Sequence, residues 1–333
     1  MKRIPAILCV ASAMIYAAAL AAETAYHIEM RIKVPDGGFD YATFDPAVER
    51  IYMARTDDTT TIDVKTGKAG SLKSASGAHI ALPVPGTTLL ALTERKGAIR
   101  LVDAATDTMV AELPAGKNPD GAAYDPVTKN VIAADHNTGE VFFVDPMAKS
   151  MTATVAVGGE LEFPVSDGAG KIFVNVEDKN EIAVIDAKSK TLTGRYTLKD
   201  CKAPTGLTYV PGAGLLISTC GANGMAKVLR AADGSEAASI PIAIGADAVM
   251  YDAGRKLAYI PCRAGVMEVI SFADPMHPVL VQHVTTKEGS RTGTLDPGTG
   301  RVYMMSSDLG APATPGGRPA PVAGTFQVLV AAP

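Results

Sequence analysis

The chain has 333 residues, 47% hydrophobic and 20% charged, with 32 Gly, 22 Pro, no Trp and a formal charge of −4. This supplies a sizeable apolar core and the turn formers for a soluble, all-β chain of many short strands. The acidic balance, without Lys/Arg clusters or aromatic-rich basic stretches, disfavours nucleic acid as a partner, because phosphate binding needs clustered positive charge.

Residues 1–22, MKRIPAILCVASAMIYAAALAA, set Lys2 and Arg3 ahead of an apolar run that closes on Ala19-Leu20-Ala21. A charged start, a short apolar run and a small-x-small end fit a cleaved export signal. The run is too short for a membrane span, and no second one follows. Cys9 has too little apolar chain before it for a lipoprotein acylation site. Removing this segment takes the formal charge from −4 to −6. Residues 23–333 are then expected to form one exported domain, periplasmic or secreted.

A lone strand pattern, YHIEMRIKV (26–34), comes next and has no partner nearby in sequence. From there one unit recurs. Its clearest copy lies in residues 159–186: a polar opener, a short apolar strand closing on Asp167, a Gly turn, a second strand, a polar loop, and a third strand ending in Val-Ile-Asp. The first strand ends at Asp45, Val84, Asp125, Asp167, Val210, Asp252 and Asp296, at spacings of 39 to 44 residues. Asp-Pro or Asp-Gly at a strand end sets up a turn, by side-chain bonding and by a fixed or permissive φ.

Second strands follow at 50–54, 88–92, 130–134, 171–175, 214–218, 256–260 and 301–305. Third strands follow at 59–64, 98–103, 140–145, 181–186, 226–231, 266–271 and 325–330. Near-continuous apolar runs of this length suit strands sandwiched between neighbours, and no helical period of any length is present. A more polar fourth strand, such as 109–115 or 151–157, precedes each new unit. Seven copies of about 40 residues predict a seven-bladed β-propeller of four-stranded antiparallel blades. The last unit, from Arg291 on, has only three strands, so residues 26–34 are expected to complete the last blade and latch the ring. Residues 306–324, rich in Pro, Gly and Ala, lengthen the last unit and read either as a surface loop or as a lid over the ring's end.

The units DPVTKNVIAADHNTGEVFFVDPMAK and DGAGKIFVNVEDKNEIAVIDAKSK resemble those of the bacterial YVTN-repeat, or YncE-like, family of exported seven-bladed propellers. The resemblance runs from about Tyr26 to the end and implies the scaffold and its export. It brings no catalytic signature.

Five residues before each strand end stands the opener of the innermost strand: Asp40, His79, Asp120, Glu162, Thr205, Asp247 and Arg291. In a propeller these surround the mouth of the central channel. Fifteen or sixteen residues beyond each opener, the antiparallel second strand ends beside them, at Thr56, Glu94, His136, Glu177, Cys220, Cys262 and Ser307. A channel-mouth site is therefore expected from Asp40, His79, Asp120, Glu162, Asp247, Arg291, His136 and Glu177. Asp120, Glu162, Asp247 and His79 would be the ligands of a divalent cation, the one cofactor this donor set suggests. The alternative is a wet, purely structural polar lining.

His27, His277 and His283 read as surface histidines, and Met147, Met151, Met304 and Met305 as blade packing. Cys201 and Cys220 fall near each other in one blade and are expected to form a disulfide in an oxidising compartment, leaving Cys262 as a free thiol. No Gly-x-Ser-x-Gly, His-Glu-x-x-His or phosphate loop is present. The reading is a monomeric binding or scaffold protein for a small molecule, cation or protein partner. Its alternative is a metal-assisted, lactonase-like hydrolase or lyase. A quinone-dependent dehydrogenase fits poorly, since such propellers rely on Trp-rich blade motifs.

Overall fold

The computed structural model describes residues 25–312 and 319–333; the expected export signal, residues 1–22, lies outside them. Seven four-stranded antiparallel sheets are arranged as blades, and each innermost strand contacts those of the blades on either side, so the ring is closed. The innermost strands are Phe39–Asp45, Ala78–Pro83, Pro119–Asp125, Leu161–Ser166, Pro204–Val210, Met250–Asp252 and Gly293–Asp296. In blade three, Pro119–Asp125, Asn130–Asp135, Glu140–Asp145 and Ser150–Ala156 pair in sequence order.

The recurring Asp does local work at each turn. Asp45, Asp125, Asp252 and Asp296 accept hydrogen bonds from backbone amides two or three residues on, at 2.8 or 2.9 Å. Asp63, Asp103, Asp145 and Asp186 do the same at the ends of third strands. An Asp here holds the turn that brings the next strand back.

Second strands run one or two residues past their apolar cores, to Arg55, Glu94, Asp135, Val176, Cys220, Cys262 and Ser306, because ladder pairing continues into polar residues at the mouth. The expectation of no helix fails at one place, a single 3-10 turn at Glu177–Lys179. Met304 and Met305 are buried as expected, whereas Met147 sits in an exposed turn and packs nothing. Among the described residues no helix is long and apolar enough to cross a membrane.

The lone strand completes the ring. His27–Lys33 pairs antiparallel with Gln327–Ala332, the third strand of blade seven. Tyr26, just ahead of it, is buried; its hydroxyl lies 2.5 Å from Tyr259 Oη and donates to Gly300 O at 3.0 Å. Gln282 bonds both the backbone N–H and C=O of Tyr26. Tyr259 and Gln282 belong to blade six, so the N-terminal segment fastens two blades. Arg301 adds a two-pronged contact to Glu29, each bond 2.9 Å.

Cys201 and Cys220 form the expected disulfide, and Cys262 is a buried free thiol among apolar side chains. Burial pushes the Cys262 thiol up to about 12, which makes it inert.

Deleting residues 26–34 is expected to lower the Tm by more than about 10 °C or to leave the chain insoluble, because both ends of the ring would then expose strand edges and apolar surface; an unchanged melting curve would refute the latch. A Cys201→Ser/Cys220→Ser variant is expected to lose about 3 kcal/mol in denaturant titration. Thiol titration of the mature wild type should find no reactive group when native and one after unfolding without reductant.

Candidate functional site at the channel mouth

The mouth is built from a repeated irregularity. In blades one to five the pairing of innermost and second strands slips by one residue, between Phe39 and Ala42, Ala78 and Ile80, Pro119 and Ala122, Leu161 and Pro164, and Pro204 and Leu207. Asp40, His79, Asp120, Glu162 and Thr205 lie inside these bulges. A bulge frees a residue from the ladder and re-aims its side chain, here toward the axis. In blade three the bulge needs Gly121, since a Cβ there would stand 2.9 Å from Phe163 Cα of blade four.

Asp40 and His79 form the centre of one side. His79 Nδ1 lies 2.7 Å from Asp40 Oδ2 and His79 Nε2 lies 2.9 Å from Asn118 Oδ1, so both ring nitrogens face acceptors. Arg95 adds a 2.9 Å bond to Asp40. Arg291 donates through Nε to Asp247 Oδ2 at 2.7 Å, approaches Asp40 Oδ1 at 3.7 Å, and lies over the Phe39 ring. Burial works against the Asp40 charge, yet the His79 bond with the charges of His79, Arg291 and Arg95 holds its carboxyl below the usual range. Burial likewise opposes the His79 charge, and the Asp40 bond with the charges of Asp120 and Asp40 raises it. Burial raises Asp247, with Asp40 adding to the effect against Arg291.

The opposite side is less well neutralised. Asp120 is 9% exposed and Glu162 is 7% exposed. Asp120 Oδ1 stands 3.1 Å from His79 Nδ1 but off the hydrogen-bond line, because that nitrogen already faces Asp40. His136 Nδ1 stands 3.1 Å from Glu162 Oε1, also off line. Tyr41 donates to Glu162 Oε2 at 3.3 Å. Burial, then the Asp40 and Asp247 charges, push Asp120 up to about 7. Burial, with Asp120, Asp247 and Glu177 nearby, raises Glu162 well above the carboxylate range. Contact with Glu162 takes His136 up to about 9 against the effect of burial.

Among the described residues, three groupings bring possible ligand atoms within 4.8 Å of one another: Asp40, His79 and Asp120; Asp120, His136 and Glu162; and His136, Glu160 and Glu177. Asp247 joins none of them, being held by Arg291, so the sequence-derived ligand set of Asp120, Glu162, Asp247 and His79 is not one cluster. The second ring is also thinner than counting along the chain suggests. His136 and Glu177 join the cluster, but Glu94 turns to Arg100 of its own blade at 2.7 Å. Thr56 is exposed, Cys262 and Ser307 are buried, and Cys220 is in the disulfide. Thr205 bonds the backbone of blade six through Ala246 O. Sequence reading misses Tyr41, Arg95, Asn118 and Glu160. Tyr41 carried one signal, an aromatic immediately after a channel-lining acid.

Tyr41 packs edge to face on Phe163 at 5.1 Å. Both line an apolar space of about 460 Å³, with Phe44, Tyr251 and Pro297 among others. At the mouth is a second cavity of about 400 Å³, walled by Phe39, Arg263, Glu288, Arg291, Leu309 and Pro319. Leu309–Pro312 and Pro319–Pro321 pair as a short hairpin, so the stem of the long loop in blade seven forms part of this wall.

The chain is thus a seven-bladed β-propeller with a charged mouth. It is similar to a chain in a crystal structure of the mitotic checkpoint complex, at 11% identity over 100% of this chain and 95% of that one, with a TM-score of 0.75. It is also similar to the RRP9 WD40 repeats, at 9% identity over 90% of this chain and 96% of that one, TM-score 0.75. A chain of Kuenenia stuttgartiensis hydrazine synthase matches at 15% identity over 83% of this chain and 94% of that one, TM-score 0.71. No family model and no curated protein sequence matches. At such identities the likeness carries the fold alone.

Because the folded state raises Asp120, its ionisation destabilises the fold; the penalty is absent below the unfolded value near 4, grows as pH rises toward about 7, and is constant above. In chelator-treated protein, Asp120→Asn is therefore expected to raise the Tm by several degrees at pH 8 and by less than about one degree at pH 4. An equal shift at both values would show that Asp120 is not strained by its surroundings.

Proposed function

We propose that the chain is an exported binding propeller of the YVTN-repeat, YncE-like kind, acting in the periplasm, whose channel mouth takes a small ligand bearing a charged group on an apolar body. The observation that carries this reading is the convergence of Asp40, His79, Asp120, Glu162, Asp247 and Arg291 from six blades on one rim, beside the cavity of about 400 Å³. Its wall offers Arg263, Arg291 and Glu288 for charge, and Phe39, Leu309 and Pro319 for apolar contact. Small-molecule sites have this mix of apolar walls and a few placed polar groups. Export rests on the charged, apolar and small-residue pattern of residues 1–22.

A protein partner for the rim is the second reading, favoured by the presence of a similar propeller in the checkpoint complex. Hydrolysis is a third, favoured by the position of Asp120 near 7, where a carboxyl can both give and take a proton.

The test is a thermal-shift screen of the mature protein against hydrophobic amino acids, aromatic carboxylates and aliphatic amines. At least one class should raise the Tm by about 2 °C or more at millimolar concentration, by preferential binding to the folded state. The shift should vanish in Arg291→Gln for a carboxylate, or in Glu288→Gln for an amine. No shift from any class would remove the small-ligand reading.

A further inference from the structure

The rim divides into two arcs of different character. On the side of blades six, seven and one, the central carboxylates have partners of opposite sign: Arg291 holds Asp247, and Arg95 and His79 hold Asp40. On the arc of blades three and four, two buried polar atoms have no hydrogen-bond partner, Asp120 Oδ1 and His136 Nδ1. Buried polar atoms are satisfied in the great majority of cases, so two orphans within one small cluster call for an occupant. Water suits this pocket less than a cation does, because the cluster offers two carboxylates and an imidazole nitrogen that faces one of them.

We propose that Asp120, His136 and Glu162 form a mononuclear site for a divalent first-row transition ion of the zinc or manganese class. The spacing fits. Donor atoms bound about 2.0–2.2 Å from one ion stand roughly 2.8–3.6 Å apart in octahedral or tetrahedral geometry, and His136 Nδ1 and Glu162 Oε1 are 3.1 Å apart. The ligand atoms of all three residues lie within 4.8 Å of one another, a spread that a small inward shift of one side chain would close. One imidazole with two carboxylates suits zinc, manganese, iron or cobalt. Calcium takes six to eight oxygens and is not served by a set containing nitrogen.

The neighbours are arranged as outer support. Tyr41 donates to Glu162 Oε2, which leaves Oε1 toward the ion. Glu177 and Glu160 have carboxylate oxygens within 4.8 Å of a ring nitrogen of His136. The competing grouping of Asp40, His79 and Asp120 is the poorer site, because both nitrogens of His79 already face acceptors at 2.7 and 2.9 Å. Asp120 then serves the arc of blades three and four, and His79 acts as its charged neighbour.

This inference deepens the reading of the mouth as a binding site, since an ion there would give an incoming ligand a fixed positive charge across the rim from Arg291. It is tested separately, by titrating chelator-treated mature protein with ZnCl₂, MnCl₂ and CoCl₂ and counting bound metal after dialysis. The expected result is one equivalent of zinc or manganese held at micromolar or lower dissociation constant, with a cobalt visible absorption band that saturates at one equivalent. His136→Gln and Asp120→Asn should each weaken binding by about 30-fold or more, at least what loss of a mere outer-shell partner costs, whereas Glu94→Gln, whose carboxylate faces Arg100, should leave affinity within about threefold. Circular dichroism of each variant shows whether it folds, and the wild-type cobalt spectrum needs no variant at all. Wild-type binding weaker than about 100 µM for all three ions, or a folded His136→Gln that keeps full affinity, overturns the proposal. Metal binding without any thermal shift from the organic panel would sink the small-ligand reading and leave the ion site standing; the converse would sink only the ion site.

Discussion

Pairing of the first described strand with the last is the constraint on which everything else rests. His27–Lys33 and Gln327–Ala332 are separated by nearly the whole chain, and bringing them together costs loop-closure entropy that local contacts within a blade do not. The return is that no blade has an uncovered face. The rim depends on the same closure, because blade seven meets blade one only in the closed ring. There Thr292 Oγ1 donates to Asp40 O at 2.7 Å, and Arg291 spans from Asp247 to Asp40. Opening the ring would separate Asp40 from Arg291 and leave its charge to His79 and Arg95.

Electrostatics then sorts the rim. A merely wet channel lining would keep its charged groups in contact with solvent, yet His79, Asp120 and Glu162 are each less than 10% exposed. Buried carboxylates need compensation, and the chain supplies it unevenly. Arginine neutralises one arc, where its planar fork can serve two carboxylates at once. The other arc has only histidine, whose charge responds to its neighbours, and so Asp120 and Glu162 are pushed toward their neutral forms. The unevenness is what separates a site from a lining.

The fold was legible because its signals are local and repeated. The Asp at each strand end makes its turn with its own neighbours, and the apolar runs of each blade bury against adjacent copies whatever their order. The latch was legible by subtraction, since residues 26–34 had no partner and blade seven lacked a strand. The two cysteines of blade five were legible for a similar reason, as Cys201 lies just ahead of the innermost strand and Cys220 ends the strand beside it. The site was legible only in depth along the axis. Counting from strand ends put Glu94 and Glu177 at the same level, but it cannot say where a side chain points. Arg100 on the adjoining strand draws Glu94 back into its blade, whereas Glu177 groups with His136 and Glu160. Tyr41 was missed because its role comes from a bulge, a register shift that strand periodicity does not record, and Asn118 because it lies in the loop ahead of its strand. The long loop of blade seven was visible as a departure from the repeat, and its contact with the cavity emerged only from the folding back of Leu309 and Pro319.

The bulges also explain how a rim can be particular to one chain while its scaffold is shared by propellers at 9–15% identity. A residue inside a bulge gives up its place in the ladder, so the strand pairing that holds the blade does not depend on its side chain. Asp120 and Glu162 sit in such places, flanked by paired residues on both sides. Changing them alters charge and coordination at the mouth and leaves the hydrogen-bonded frame intact. Gly121 marks the limit of that freedom, since blade four approaches it too closely for a side chain. The frame therefore fixes where chemistry can be placed, and the bulged positions fix which chemistry it is.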